Sequence, residues 1–183
     1  MQREIMWTGW DHQGSERLEL NIAHDGITVD SRVKGCHDGR AYHLNYQLVL
    51  DPDWRTRQLS ARLDDGRTCH LSGDGHGRWW SQKQGPLVSL TGCIDIDIAA
   101  TPLTNTLPIR RLGLNIGASA DLTVVMLCVP DLTVSVVRQR YTRLSSRGFR
   151  YEGLDSGVVA QLHVDDQGLV LDYPGTFRRR RAC

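Results

Sequence analysis

The chain has 183 residues, of which 40% are hydrophobic and 23% are charged, and its formal net charge is +1. This length and composition are typical of one folded domain that buries a core without metal or disulfide support. The near-zero charge argues against electrostatic steering toward nucleic acid or an anionic membrane, and no apolar run approaches the roughly 20 residues of a membrane span.

Residues 1–14, MQREIMWTGWDHQG, lack the long apolar stretch of a secretory signal, so we expect a cytoplasmic protein. Beyond them, short runs of alternating apolar and polar residues predict an antiparallel β protein. The predicted strands are Leu18–Ala23, Ile27–Val33, Tyr42–Leu50, Thr56–Leu63, Arg67–Ser72, Arg78–Gln82, Val88–Ile98, Leu122–Val129, Val134–Leu144, Phe149–Gly153, Val158–Val164 and Leu169–Tyr173. Turn residues separate them at regular spacing, which favours a barrel, roll or sandwich.

The sequence contains a faint internal similarity. HDGITVDS at 24–31 resembles DDQGLVLDY at 165–173, although hairpin-forming sequences are common enough to produce such a likeness. We predict a single domain over residues 1–183, and leave open whether it consists of two weakly similar halves at about 17–98 and 121–175.

One segment, TLPIRRLGLNIG at 106–117, predicts a helix. Thr106 is the expected N-cap, Pro108 fits the first turn and Gly113 is the expected stop. The apolar face, at spacings of three and four, comprises Ile109, Leu112 and Ile116. We expect this single short helix, at about residues 106–113, to lie inside the curve of the sheet.

Two aspartates and two arginines flank the junction of this helix with the strand before it. Asp95 and Asp97 are two residues apart on a predicted strand, so they face the same side of the sheet. They form the solvated face of the strand, or an acid–base pair, or ion pairs with Arg110 and Arg111 that fasten the helix to the sheet.

Motifs that carry other specific chemistry are missing or isolated. The five cysteines never form a CxxC pair and the seven histidines show no HxH or HExxH spacing, so we expect reduced thiols, no metal and no cofactor. The terminal run Arg178–Arg181 could contact phosphate or RNA, but the rest of the chain is balanced, and we expect no nucleic-acid partner.

Residues 90–114 carry more information than the alternation of apolar and polar residues, because they resemble the signature of a known family. LTGCIDIDIAATPLTNTLPIRRLGL at 90–114, with GHGRWW at 75–80, RQRYTRL and FRYEG within 138–153 and GLVLDYPGTFRR at 168–179, resembles a bacterial protein family described as putative glycolipid-binding and formerly a domain of unknown function. The resemblance implies a mainly β fold: a spiral β-roll, in which a many-stranded and mostly antiparallel sheet wraps around a single helix. It also implies a homodimer.

The same resemblance implies a non-catalytic protein that binds an amphipathic ligand, a lipid or glycolipid, between the curved sheet and the helix, without stable membrane insertion. The residues expected to contact the ligand are Asp95, Asp97, Asn105, Arg110 and Arg111 at the rim, with Trp79, Tyr141 and Tyr151 in the wall. The alternatives are a hydrolase of carbohydrate or lipid head groups that uses Asp95 or Asp97 with Glu152, and a structural or regulatory dimer with no ligand.

Overall fold

Strands dominate the computed structural model, which describes residues 1–180. In chain order they are β1 (Gln2–Gly9), β2 (Ser15–Ile22), β3 (Ile27–His37), β4 (Arg40–Leu50), β5 (Thr56–Leu63), β6 (Thr68–Gly73), β7 (Trp79–Ser81), β8 (Gly85–Pro86), β9 (Asp95–Ile98), β10 (Ser119–Leu127), β11 (Val134–Arg143), β12 (Gly148–Gly153), β13 (Val159–Val164), β14 (Val170–Tyr173) and β15 (Phe177–Arg179). Arg181, the last residue of the predicted arginine tail, and Cys183 lie outside the described residues.

All of these strands belong to one large sheet that does not close. The sheet starts at β8, runs back through the strands to β1, and continues through β15 down to β9 at the other edge. Neighbouring strands are antiparallel except β9 and β10, which are parallel. With 55% of the structure in strands, the predicted mainly β class is confirmed.

The parallel pair explains the position of the helix. Parallel neighbours need a long crossover, and residues 99–118 provide it between β9 and β10. The crossover contains a 3₁₀ turn at Leu103–Asn105 and α1 (Thr106–Leu112). Within residues 1–180 this is the only α-helix, and its predicted extent, about 106–113, is confirmed.

The sheet rolls up so that β9 packs against the strands of the first half. The indole nitrogen of Trp79 donates to the carbonyl oxygen of Cys93 at 2.7 Å, and the amide of Gly92 donates to Gly77 at 2.8 Å. A Cβ on Gly77 would lie 2.9 Å from the Gly92 Cα, so glycine permits this close approach. The result is the spiral arrangement that the resemblance implied.

Strand β9 is therefore covered on both faces. Ile96 and Ile98 join the main core together with residues of β1–β6 and with Leu103 and Leu107 of the crossover. On the other face a second core contains Ile109, Tyr141, Phe149, Tyr151, Ala160, Leu162, Val164 and Val170. The helix thus connects two cores, one on each side of β9.

Three local predictions were wrong. The predicted strand Val88–Ile98 is a 3₁₀ turn at its start and a strand only at β9, because Gly92 takes a φ of 92° that breaks the extended run. Asn105, not Thr106, occupies the N-cap position, because the 3₁₀ turn runs directly into the helix. Ile116 is 64% exposed, because the helix ends before it.

Candidate binding groove and the polar clusters beside the helix

Asp95 and Arg111 form the contact that fastens the helix to the sheet. Arg111 Nε lies 3.0 Å from Asp95 Oδ1, and Nη2 lies 2.6 Å from Oδ2, which is a bidentate pair. Asp95 is fully buried and the Arg111 side chain is mostly so. Burial raises the pKa of Asp95, and the Arg111 guanidinium opposes that shift. The prediction of a solvated aspartate face is wrong here, because the helix covers it.

Arg110 does not take part in this contact, contrary to the prediction that both arginines fasten the helix. Its guanidinium lies over the ring of Trp54, with 5.1 Å between the carbon and the ring centroid. Adjacent residues on a helix point about 100° apart, so only one arginine of the pair can face the aspartates.

Asp97 is hydrogen-bonded by uncharged side chains, with which it forms a polar cluster. It accepts hydrogen bonds from Thr104 Oγ1 at 2.9 Å and from Gln139 Nε2 at 2.6 Å. Burial raises the pKa of Asp97, and these two hydrogen bonds oppose the shift. Gln139 itself is 1% exposed, and no sequence motif pointed to it. Within residues 1–180 Asp97 forms no ion pair, and its two hydrogen bonds join β9 to the crossover and to β11.

The tyrosines that were expected to line a wall lie next to this cluster. The hydroxyl of Tyr141 donates to Asn105 Oδ1 at 2.8 Å, and its ring contacts Tyr151 edge to face, 5.4 Å between centroids. Tyr173 continues the row at 6.1 Å. Burial and the charge of Asp97 raise the pKa of Tyr173 to about 12, so the hydroxyl stays protonated. These rings fill the second core.

Trp79, the remaining predicted wall residue, lies elsewhere. It is 3% exposed within the main core, and its indole N–H donates a hydrogen bond to the carbonyl oxygen of Cys93. The structure therefore brings Asp95, Asp97, Asn105, Arg111, Tyr141 and Tyr151 together under and beside the helix, and places Trp79 and Arg110 apart from them.

A second polar cluster, not predicted from the sequence, lies in the main core around Glu16. Its carboxylate accepts hydrogen bonds from Ser31 Oγ at 2.7 Å, Tyr46 Oη at 2.6 Å and Thr101 Oγ1 at 2.7 Å. Glu16 is 1% exposed, and burial raises its pKa from 4.5 to about 7, against the three hydrogen bonds. All three of these partners are neutral, so desolvation of the charge is not offset by a cation.

The segment TPLTNT at 101–106 connects the two clusters. Thr101 contacts Glu16 in the main core, Thr104 contacts Asp97, and Asn105 contacts Tyr141. Thr101 Oγ1 also accepts a hydrogen bond from the backbone amide of Leu103, and Thr104 Oγ1 accepts one from the backbone amide of Ile98. The polar residues of this motif thus replace ordinary capping and hold the start of the helix in place.

An open groove of about 480 Å³ lies where the end of the helix meets β10. Its apolar lining consists of Ile94, Leu112, Leu122 and Leu154, all half-buried. Its polar lining consists of Arg111, Asp121, Thr123 and Arg138. Of the predicted site residues, only Arg111 borders it. We call this the helix-end groove.

The charged groups of the helix-end groove are paired. Arg111 is held by Asp95, Arg138 binds Asp155 at 2.7 Å, and Asp121 binds Arg140 at 2.8 Å. The rim therefore presents many donors and acceptors without an excess of charge of either sign. Such a rim suits an uncharged ligand that is rich in hydroxyl groups.

The predicted acid–base pair does not form. Glu152 is opposite Arg140 and next to Tyr151, whereas Asp95 and Asp97 share the face of Tyr151, so the strand alternation puts Glu152 on the other face of the sheet. Among residues 1–180 no group of three or more His, Cys, Asp or Glu side chains is arranged to hold a metal ion.

An open sheet rolled around one helix, with an apolar groove at the helix end, defines the class as a mainly β, spiral β-roll protein. The sequence profile of the family described as "Putative glycolipid-binding" matches residues 4–179. The chain belongs to that family. No curated protein gives a significant match.

Two solved structures are similar to this chain. A DUF1089 family protein from Pseudomonas aeruginosa is 39% identical, with a TM-score of 0.81 over 90% of this chain and 92% of that one. A beta-barrel-like protein of the DUF1849 domain of unknown function, from Brucella abortus, is 11% identical, with a TM-score of 0.52 over 97% and 92% of the two chains. At that identity the second likeness bears on the fold alone.

Proposed function

We propose that this protein binds a neutral glycolipid in the helix-end groove and catalyses no reaction on it. The observation that carries the proposal is the combination of an apolar lining with a rim of paired charges. The family description supports glycolipid as the ligand class. The volume of about 480 Å³ is in the usual range of ligand sites, ~300–1,000 Å³.

The acyl chain contacts the four apolar residues of the groove, at the open end of the interface between helix and sheet. The interior farther along that interface is filled, because Leu103 and Leu107 are fully buried against Ile96 and Ile98. Each methylene group buried in the groove contributes about 0.8 kcal/mol. The ligand is therefore held between sheet and helix only at their edge, which differs from the deep site that the resemblance implied.

The sugar contacts the rim. Arg111, Arg138 and Asp121 are held in place by their ion pairs, so they bind hydroxyl groups with little further loss of side-chain entropy. The predicted residues Asp95, Asp97, Asn105, Tyr141 and Tyr151 support this rim from behind and do not touch the ligand. Within residues 1–180 no helix has the length and apolar character needed to cross a membrane.

Native mass spectrometry of the purified protein, followed by lipid extraction, tests the proposal. We expect a glycolipid adduct on the wild type that is strongly reduced in Leu122→Gln and Leu154→Gln, which place an amide in the apolar lining. Val88→Gln is the matched control, because Val88 is 80% exposed and lies outside the groove. Equal adducts on all four proteins would contradict the site, and only phospholipid or no lipid would contradict the ligand class.

Two further expectations remain predictions. The homodimer and the cytoplasmic location are part of the proposal, and multi-angle light scattering of the purified chain together with fractionation of cells tests them. A strictly monomeric protein that binds glycolipid would separate ligand binding from the predicted assembly.

A further inference from the structure

A second groove, of about 450 Å³, also borders the helix end and shares no lining residue with the helix-end groove. Its apolar floor consists of Ile109, Phe149 and Val164 of the second core. Its rim carries Arg110, Arg143, Arg147, Asp165 and Asp166. We call it the arginine groove.

The arginine groove concentrates positive charge in a chain that is otherwise balanced. Asp165 binds both Arg3 at 3.0 Å and Arg179 at 2.8 Å, and Asp166 is paired with Arg147. The lining itself holds three arginines against two aspartates, and Arg3 and Arg179 pair with Asp165 from outside the lining.

The hydrogen bonds of Arg143 go to main-chain oxygens. Its guanidinium donates to the carbonyl of Leu114 at 2.8 Å, of Ser145 at 3.2 Å and of Ser146 at 3.3 Å. It also lies over the ring of Phe149, 5.8 Å from the centroid. Carbonyl groups fix the position of the cation without neutralising its charge, so Arg143 presents a fixed positive charge to the groove.

Arg110 is positioned in a different way and is also left without a counter-ion. It stacks over Trp54, and its methylene stem runs past Gly168, where a Cβ would lie 3.0 Å from Arg110 Cδ. Within residues 1–180 no carboxylate lies within ion-pair distance of it. The stem is therefore ordered by packing while the exposed guanidinium keeps its donors for another partner.

We propose that the arginine groove binds a phosphate group, either free or carried on the head group of a lipid. Guanidinium groups match the oxygens of phosphate in bidentate geometry, and Arg110 and Arg143, which pair with no carboxylate within residues 1–180, supply two positive charges for a dianion. The apolar floor favours the lipid as the source. This site is separate from the helix-end groove and does not depend on the glycolipid proposal.

Titration followed by ³¹P NMR at constant ionic strength tests the inference, with inorganic phosphate and dihexanoyl phosphatidic acid as probes. We expect saturable binding of at least one of them that Arg110→Gln weakens about tenfold, the effect of losing one charge-assisted hydrogen bond. Arg62→Gln, which removes the same charge from an exposed position on β5, should leave the affinity unchanged. Asp166→Asn, which frees Arg147, should tighten binding severalfold.

The outcomes separate the two sources. Phosphatidic acid that binds much more tightly than inorganic phosphate identifies a lipid head group, and equal affinities identify free phosphate. Absence of saturable binding to both probes would overturn the inference. So would an equal loss in Arg110→Gln and Arg62→Gln, since that result would reflect net charge and not a site.

Discussion

Glu16 is a carboxyl group buried among three hydroxyl groups, and its position can be inferred from its neighbours. It alternates with Leu18 and Leu20 on β2, so all three side chains point into the main core. That alternation was a usable signal for an internal carboxylate. Its partners were not predictable, because Ser31, Tyr46 and Thr101 come from distant parts of the chain.

This carboxyl group should make stability fall as pH rises. Its folded-state pKa, about 7, lies above the ordinary value of 4.5, so the folded state binds the proton more tightly than the unfolded state. The contribution is fully present below pH 4.5 and is lost as pH rises to about 7. The shift corresponds to about 3 kcal/mol.

Urea unfolding between pH 4 and 8 measures this effect through the difference between wild type and Glu16→Gln. Between about pH 4.5 and 7 the unfolding free energy of the wild type should fall relative to that of Glu16→Gln. Above that range the difference between the two proteins should be constant. A pH-independent difference would show that Glu16 has an ordinary pKa in the folded protein.

Arg110 and Arg111 are adjacent in the sequence, yet the same substitution should destabilise the protein to very different extents. Arg111→Gln leaves the buried Asp95 without its partner and should reduce the free energy of unfolding by about 3 kcal/mol or more. Arg110→Gln removes a stacked, exposed cation and should cost about 1 kcal/mol or less. Chemical denaturation measures both.

The double variant Asp95→Asn, Arg111→Gln is the control for that comparison. It removes both charges, so it should be more stable than Arg111→Gln alone. Equal losses in the two single arginine variants would contradict the assignment of Arg111 as the residue that fastens the helix.

At the scale of elements, β9 shows where alternation misleads. CIDIDI has the alternating pattern of a strand with one solvent-exposed face, and this pattern allows the prediction that its aspartates are solvated. In the structure the helix covers that face, and Asp95 is as buried as Ile96. Ion pairing across the crossover was one of the alternatives that the residues allowed, and the geometry selects it for Arg111.

The end of the helix depends on a glycine that cannot be replaced without strain. Gly113 has a φ of 54° in the left-handed region, and an added Cβ would meet no atom within 4 Å. Gly113→Ala should therefore destabilise the protein through the backbone alone, by about 1 kcal/mol. Gly113→Asn is the matched variant and should cost less, because asparagine tolerates this conformation. A melting temperature of Gly113→Ala equal to or above that of Gly113→Asn would contradict this account.

At the scale of the whole molecule, most strands were predictable from local pattern and the joining of the halves was not. Eleven of the described strands, β2–β7 and β10–β14, follow runs of alternating residues bounded by turn signals, and Thr56–Leu63 has the predicted bounds at both ends. The short strand β15 overlaps the run that the sequence presents as an arginine tail. It forms a strand because it pairs with β1 and β14. That pairing spans nearly the whole chain, so no local window contains it.

The grooves have the same origin in long-range packing. The helix-end groove combines Ile94, Leu112, Leu122 and Leu154, four residues that no sequence motif connects. They meet because the parallel crossover brings the helix end over the start of β10. Of the predicted contact residues from the motif block, Arg111 borders this groove, whereas Asp95, Asp97 and Asn105 hold the crossover to the sheet.

Photoaffinity labelling with a neutral glycolipid that carries a photoreactive group on its acyl chain tests the central claim most directly. A competing groove of about 410 Å³ lies on β4–β7 beside Val49 and Trp80, so the position of the label discriminates. We predict saturable labelling of peptides that contain Leu112, Leu122 or Leu154, suppressed by excess unlabelled glycolipid. Labelling confined to peptides around Val49 and Trp80, or labelling that excess glycolipid does not suppress, would contradict the account.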